Sequence, residues 1–98
     1  MTDTYSLKGK AAIISGAGGG IGRAISITFA EAGAKVACVD IKLKNAEETA
    51  RLAGQDALAI GCDVSSESDT KAAVERAARA FGRLDILVNG AAMTDPTA

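Results

Sequence analysis

Two features of the sequence could do chemistry together. One is the run Ser15-Gly16-Ala17-Gly18-Gly19-Gly20-Ile21-Gly22, with five glycines in seven positions; the other is Asp40, eighteen positions after Gly22. Glycine takes positive φ without strain, and it lets a ligand reach main-chain N–H groups with no Cβ in the way. Where such a run opens a helix, unpaired N–H groups and the positive end of the helix dipole face the turn, and phosphate is the group they suit. A carboxylate placed as Asp40 is can accept hydrogen bonds from both hydroxyls of an adenosine ribose, and it repels a 2'-phosphate. The spacing excludes two relatives of this arrangement. A P-loop needs Gly-Lys-Ser/Thr where this chain has Gly22-Arg23-Ala24, and a strict GxGxxG needs glycine where Ile21 stands.

A glycine-rich turn can also be free of ligand, and an aspartate at a strand end can simply be solvated, so the surrounding elements decide. Lys10–Ser15 is a short apolar run ending at glycine, as a strand buried on both faces reads. From Ile21, apolar or small residues recur at Ala24, Ile25, Thr28, Phe29 and Ala32, one face of a helix that Gly33 closes. Lys35–Asp40 predicts a second strand, and a helix over about 45–53 shares Ala46, Thr49, Ala50 and Ala53 on one face before Gly54. Ala57–Cys62 is the third strand. "SSESDTKAAVERAARAFG" opens with serine and acidic residues suited to a helix N-terminus, carries Ala73, Val74, Ala77, Ala78 and Phe81 on one side, and closes at Gly82. Leu84–Asn89 is the fourth strand, and residues 90–98, with the single proline, read as an unstructured end.

Strands alternating with helices imply parallel, right-handed crossovers. The fold class expected is α/β, a partial Rossmann-type doubly wound sheet, β-α-β-α-β-α-β, in strand order 3-2-1-4. Ligands of such sheets bind beyond the carboxyl ends of the strands where the order reverses, between the first and fourth strands, and the glycine run falls there.

Composition narrows the classes further. Eleven basic and twelve acidic residues are scattered through 98, giving net charge -1 and no phosphate-backbone footprint, so nucleic acid is not an expected partner. There is no run of 18 apolar residues and no apolar core of a signal peptide, so a cytoplasmic chain with no membrane partner is expected. Cys38 and Cys62 are not spaced as a CxxC motif and read as buried, reduced packing residues. The absence of histidine removes the usual general base and the commonest metal ligand, so no metal site is expected.

With these residues in order, the chain resembles the N-terminal portion of the short-chain dehydrogenase/reductase family. The family's TGxxxGxG turn is matched by "SGAGGGIG", with Ser15 in place of threonine. Asp40 closes the second strand, "CDVS" follows the third, and "LDILVNGAA" stands where the family has "DhLVNNAG". The resemblance covers nearly the whole chain. It implies that Gly16, Gly20, Ile21 and Gly22 line a pyrophosphate beside Ser15, that Asp40 and Ile41 hold the adenosine ribose, and that Asp63 and Val64 flank the adenine. Asn89 and Gly90 would lie beneath the cofactor near the nicotinamide ribose. By residue type alone Asp63 could equally cap the following helix, and Asn89 could tie neighbouring loops together. The family's NADP-preferring members carry basic residues in the glycine turn or just after the second strand. Ala17, Gly18, Gly19 and Ile41 occupy those places here, so NAD is favoured over NADP, and Gly18 and Gly19 read as extras that keep basic side chains out.

The family's catalytic serine and Tyr-x-x-x-Lys pair find no counterpart. Tyr5 precedes the first strand and has Gly9 four positions later, so no catalytic residue is assigned. Residues 1–98 are thus expected to form the dinucleotide-binding part of one Rossmann domain, truncated after the fourth strand and inactive alone, from an oxidoreductase moving hydride between nicotinamide and a carbonyl or alcohol substrate. An apolar fourth strand left at the edge predicts self-association or pairing with a partner. Two alternatives stay open: a non-catalytic relative that binds nucleotide or pairs with a full-length partner, and a fragment of an S-adenosylmethionine-dependent methyltransferase.

Overall fold

The computed structural model describes residues 6–90. Seven elements follow one another as β1 (Ala11–Ser15), α1 (Gly20–Glu31), β2 (Lys35–Asp40), α2 (Leu43–Ala53), β3 (Leu58–Gly61), α3 (Glu67–Phe81) and β4 (Ile86–Asn89). The four strands form one parallel sheet in the order β3-β2-β1-β4, the expected α/β arrangement. A right-handed crossover places its helix according to the direction travelled across the sheet. The steps from β1 to β2 and from β2 to β3 run one way, which sets α1 and α2 on one face; the return to β4 sets α3 on the other.

Two apolar layers result. Ile13, Ala37, Val39, Ile60 and Cys62 meet Ala73 and Ala77 of α3. Ile14, Val36 and Cys38 meet Ala50 of α2, with Ile25 and Phe29 of α1 packed against them. Neighbours along a strand thus point into different layers, which is why β1 and β2 read as unbroken apolar runs. Both cysteines are buried and free, and burial pushes the Cys38 thiol up, keeping it protonated and inert.

Helix ends explain most boundaries. The side chain of Ser66 caps α3 by accepting from Asp69 N at 3.2 Å, Glu67 and Asp69 sit in the first turn, and Gly82 closes the helix at φ 78. Helix α2 starts two residues earlier than the periodicity predicts, at Leu43. Strands β3 and β4 are shorter than their apolar runs.

Helix α1 keeps part of the expected face, Ile25 and Phe29 packing on the core, and departs from the rest. The periodicity predicts a buried stripe through Ile21, Ala24, Ile25, Thr28, Phe29 and Ala32, yet the fully buried residues are Gly22 and Ser26, and Ile21 is 42% exposed. Gly22 turns inward because the first turn of α1 lies almost on the backbone of the preceding loop, and Ser26 lies one turn later on the same face. Ser26 Oγ donates to Gly22 O at 2.8 Å, which settles its hydroxyl inside the layer.

At the amino end of the sheet, Asp85 joins β4 to β1. Its carboxylate accepts Ala11 N–H at 2.8 Å, its own N–H donates to Ala11 O at 2.8 Å, and Arg83 grips it through Nε and Nη2, both at 2.8 Å. Beyond this, β4 pairs with β1 alone among the described residues and leaves Leu87 73% exposed. Gly90 is buried with helical backbone, and the expected unstructured end otherwise falls outside the described residues. No helix among the described residues is long and apolar enough to cross a membrane.

The Arg83 hydrogen bond, followed by that of Ala11, holds the Asp85 carboxyl down to about 2 from 3.8. A carboxyl depressed by folding contributes stability that is present above its unfolded value and is lost as pH falls through the folded one. The melting temperature should therefore fall between about pH 4 and pH 2, and Asp85→Asn should flatten that limb while lowering the melting temperature at neutral pH. An unchanged acid limb in thermal melts of the variant would assign the acid sensitivity elsewhere.

Candidate dinucleotide site

Register brings the strand ends level. Ser15 stands opposite Val39 on one side and Asn89 on the other, and Asp40 stands opposite Gly61. The loops leaving β1, β2, β3 and β4 therefore open at one edge, where the residues expected to hold a dinucleotide lie.

The turn after β1 is a cradle of backbone. Gly16 has φ 64 and Gly20 φ 55, both in the left-handed region that side chains avoid. Gly22 is required for a different reason: a Cβ there would sit 2.0 Å from Gly16 O. Gly90 closes the contact from the other side, since a Cβ on it would meet Ser15 O at 2.8 Å and Gly22 Cα at 3.0 Å. Gly18 is not an extra. Its Cβ would stand 2.6 Å from Asp40 Oδ2 and 2.7 Å from Asn45 Cβ, because its N–H donates to that carboxylate at 2.9 Å. Only Gly19, of the two, has open space around it.

Asp40 works in both directions. Oδ2 accepts Gly18 N–H and Oδ1 accepts Lys42 N–H, each at 2.9 Å, so the carboxylate is fixed by two backbone groups. Each oxygen keeps a second lone pair for a hydroxyl. Ser15 Oγ lies 3.1 Å from Asn89 Oδ1 and 3.4 Å from Val88 O, which ties the ends of β1 and β4. Asp63 does not cap α3; Ser66 does. Asp63 Oδ1 accepts Ser65 N–H at 3.0 Å and Ser65 Oγ–H at 2.7 Å, forming the turn that presents Val64, and these bonds lower its carboxyl below the usual range.

Of the large apolar side chains exposed among the described residues, Ile21, Ile41 and Val64 all border this edge. A cavity of about 210 Å³ lies on the α3 side of the strand ends, with Ser15, Val64, Thr70 and Asn89 in its lining. The edge thus offers backbone donors from the turn, a charged acceptor from β2 and apolar flanks.

The helix that opens here is left unsatisfied. No side chain caps α1 and no acidic residue occupies its first turn, in contrast to α3. An anion is what such an end accepts. The cradle that a Cβ would fill, the open helix end and the paired carboxylate fit the pyrophosphate and ribose of a dinucleotide.

The family profile described as short chain dehydrogenase matches residues 10–98. The chain belongs to the short chain dehydrogenase family. It is 47% identical over 94 residues to 7alpha-hydroxysteroid dehydrogenase of Escherichia coli (strain K12), an alignment covering 92% of this chain and 36% of that protein. A solved 7 alpha-hydroxysteroid dehydrogenase, complexed with NADH and 7-oxo glycochenodeoxycholic acid, superposes with TM-score 0.83 at 46% identity, over 89% of this chain and 35% of that one. The 3-ketoacyl-(acyl-carrier-protein) reductase of Brucella melitensis complexed with NADH gives TM-score 0.81 at 49% identity, over 84% and 34%. The chain spans about a third of the length of the curated relatives it matches. Membership removes the methyltransferase alternative.

Two side chains that support this short chain dehydrogenase edge were not legible in advance. Arg23 Nε donates to Thr49 Oγ1 at 2.8 Å and Arg23 Nη2 to Gly18 O at 2.9 Å, while Thr49 Oγ1 donates to Ala17 O at 2.6 Å. The one signal was Thr49 itself, a hydroxyl in the middle of an otherwise alanine face.

The glycines separate in a substitution series. Gly22→Ala should cost about 3 kcal/mol, because the clash is with backbone that cannot move aside. Gly18→Ala should cost roughly 1–3 kcal/mol by displacing Asp40. Gly19→Ala should stay within about 0.5 kcal/mol. Urea unfolding midpoints measure all three, and a ranking with Gly19→Ala as costly as Gly22→Ala would contradict the geometry.

Proposed function

We propose that this chain is the dinucleotide-binding portion of a short-chain oxidoreductase that transfers hydride between nicotinamide and a carbonyl or alcohol substrate, with NAD preferred over NADP. The observation that carries the reading is the pairing of a Cβ-free cradle, Gly16, Gly20 and Gly22, with Asp40 anchored beside it. NADH in two similar solved enzymes, a dehydrogenase and a reductase, supports the same ligand class.

When bound, a nicotinamide dinucleotide supplies or accepts the hydride. The chain's own residues bind and orient it. Main-chain N–H groups at the start of α1 face the pyrophosphate, with Ser15 and Ile21 at either side. Asp40 accepts the ribose hydroxyls, and Ile41 and Val64 offer apolar faces to the adenine end, with Asp63 shaping the turn that carries Val64. Asn89 and Gly90, level with Ser15, form the floor toward the nicotinamide ribose.

Asp40 also carries the NAD preference. A 2'-phosphate would bring negative charge against a carboxylate that two backbone N–H groups hold in place, so the side chain cannot swing away without giving up both bonds. Lys42 meets Asp40 through its backbone N–H.

Calorimetric titration with NAD, NADP and ADP-ribose tests the reading. NAD and ADP-ribose should bind, and NADP more weakly. Asp40→Asn, which keeps an acceptor for Gly18 N–H, should weaken NAD by roughly tenfold and narrow the gap to NADP. Failure of all three ligands to bind a folded chain would overturn the proposal. An unchanged NAD to NADP ratio in the variant would remove Asp40 as its cause.

A further inference from the structure

Arg23 follows the last glycine of the turn, and it faces back across the loop rather than outward. Its backbone N–H donates to Gly19 O at 3.2 Å, and its Nη2 donates to Gly18 O at 2.9 Å. One residue thus takes two successive carbonyls of the turn. Peptide units are planar and, among the described residues, none is cis. Each N–H therefore points opposite to the carbonyl of its own unit. With the Gly18 and Gly19 carbonyls directed at Arg23, the N–H groups of Gly19 and Gly20 are directed away from it, off the open end of α1.

The guanidinium is itself held. Nε donates to Thr49 Oγ1 at 2.8 Å, and that buried hydroxyl in turn donates a hydrogen bond to Ala17 O at 2.6 Å; Nη2 also reaches Asn45 O at 3.5 Å. Nε and Nη2 lie at a fixed angle in a planar fork, so one side chain spans α2 and the turn with little freedom left. We propose that Arg23, seated on Thr49, is a positioning residue that orients the Gly19 and Gly20 N–H groups toward the pyrophosphate. This rests on the dinucleotide reading above.

The prediction separates the phosphates from the rest of the ligand. In the full chain, Arg23→Met keeps bulk and removes every side-chain donor. It should weaken ADP-ribose about tenfold and leave adenosine, which has no phosphate, within about twofold, with both followed by NMR titration. Arg23→Lys keeps the charge without the fork, and should stay closer to Arg23→Met than to the unmutated chain. Full recovery by lysine would show that charge alone suffices, and would overturn the positioning role, as would equal loss for adenosine. Should Arg23→Met fail to fold, the unmutated chain decides: the Arg23 Nε–H signal should exchange with solvent far more slowly than that of exposed Arg79, and the Gly19 and Gly20 amides should shift most with ADP-ribose. Arg79-like exchange at Arg23 would overturn the proposal. If the folded, unmutated chain binds no ADP-ribose, the dinucleotide reading falls and this inference with it. If it binds and Arg23→Met binds equally, the role of Arg23 alone falls.

Discussion

The peptide unit between Ala17 and Gly18 is held at both of its polar ends. Thr49 Oγ1 donates to its carbonyl, and Asp40 Oδ2 accepts from its N–H. The unit before it is fixed as well, since Ala17 N–H donates to Val39 O at 2.9 Å. A surface loop usually has its polar groups in water and moves accordingly. Here α2, the end of β2 and the first turn of α1 all contribute partners, so the loop's shape is a property of three elements rather than of its own sequence. The cradle, the aim of Asp40 and the setting of Arg23 all follow from that one fixed unit.

The two ends of the sheet are held by different means. At the amino end, Arg83, Asp85 and Ala11 join β4 to β1 through exposed charge, where a pair is screened and contributes modestly. At the carboxyl end, the joining is backbone against backbone, with glycine at each close approach and Ser15 bridging to Asn89. No buried side-chain polar atom among the described residues lacks a partner. The main-chain donors that begin α1, which no side chain caps, lie where a ligand can reach them.

How much of this was legible depends on whether a residue acts through its type or through its surroundings. Strands β1 and β2 were readable because burial on both faces demands continuous apolar runs, and the helix ends because Gly54, Gly82 and Ser66 act locally. Gly16, Gly20, Gly22 and Asp40 were readable because their chemistry depends on spacing along the chain. Gly18 was misread as filler, since the reason it must be glycine is an aspartate 22 residues away. The buried face of α1 was legible only in part: Ile25 and Phe29 pack on the sheet, but counting apolar residues cannot see that Gly22 must meet the loop or that Ser26 is buried one turn later. Asp63 was ambiguous between cap and site, and its tie to Ser65 shows how one carboxylate can shape a turn and leave the cap to its neighbour.

Gly22 and Gly90 stand far apart in the chain and nearly touch in space: a Cβ on Gly90 would lie 3.0 Å from Gly22 Cα, while a Cβ on Gly22 would strike Gly16 O instead. Each clash is therefore with main chain, whose atoms every residue type carries. Crowded side chains can trade volume, one shrinking as its neighbour grows. Main chain has nothing to trade. No change of residue type at a neighbouring position makes room for a side chain at either glycine, and only a shift of the backbone itself would.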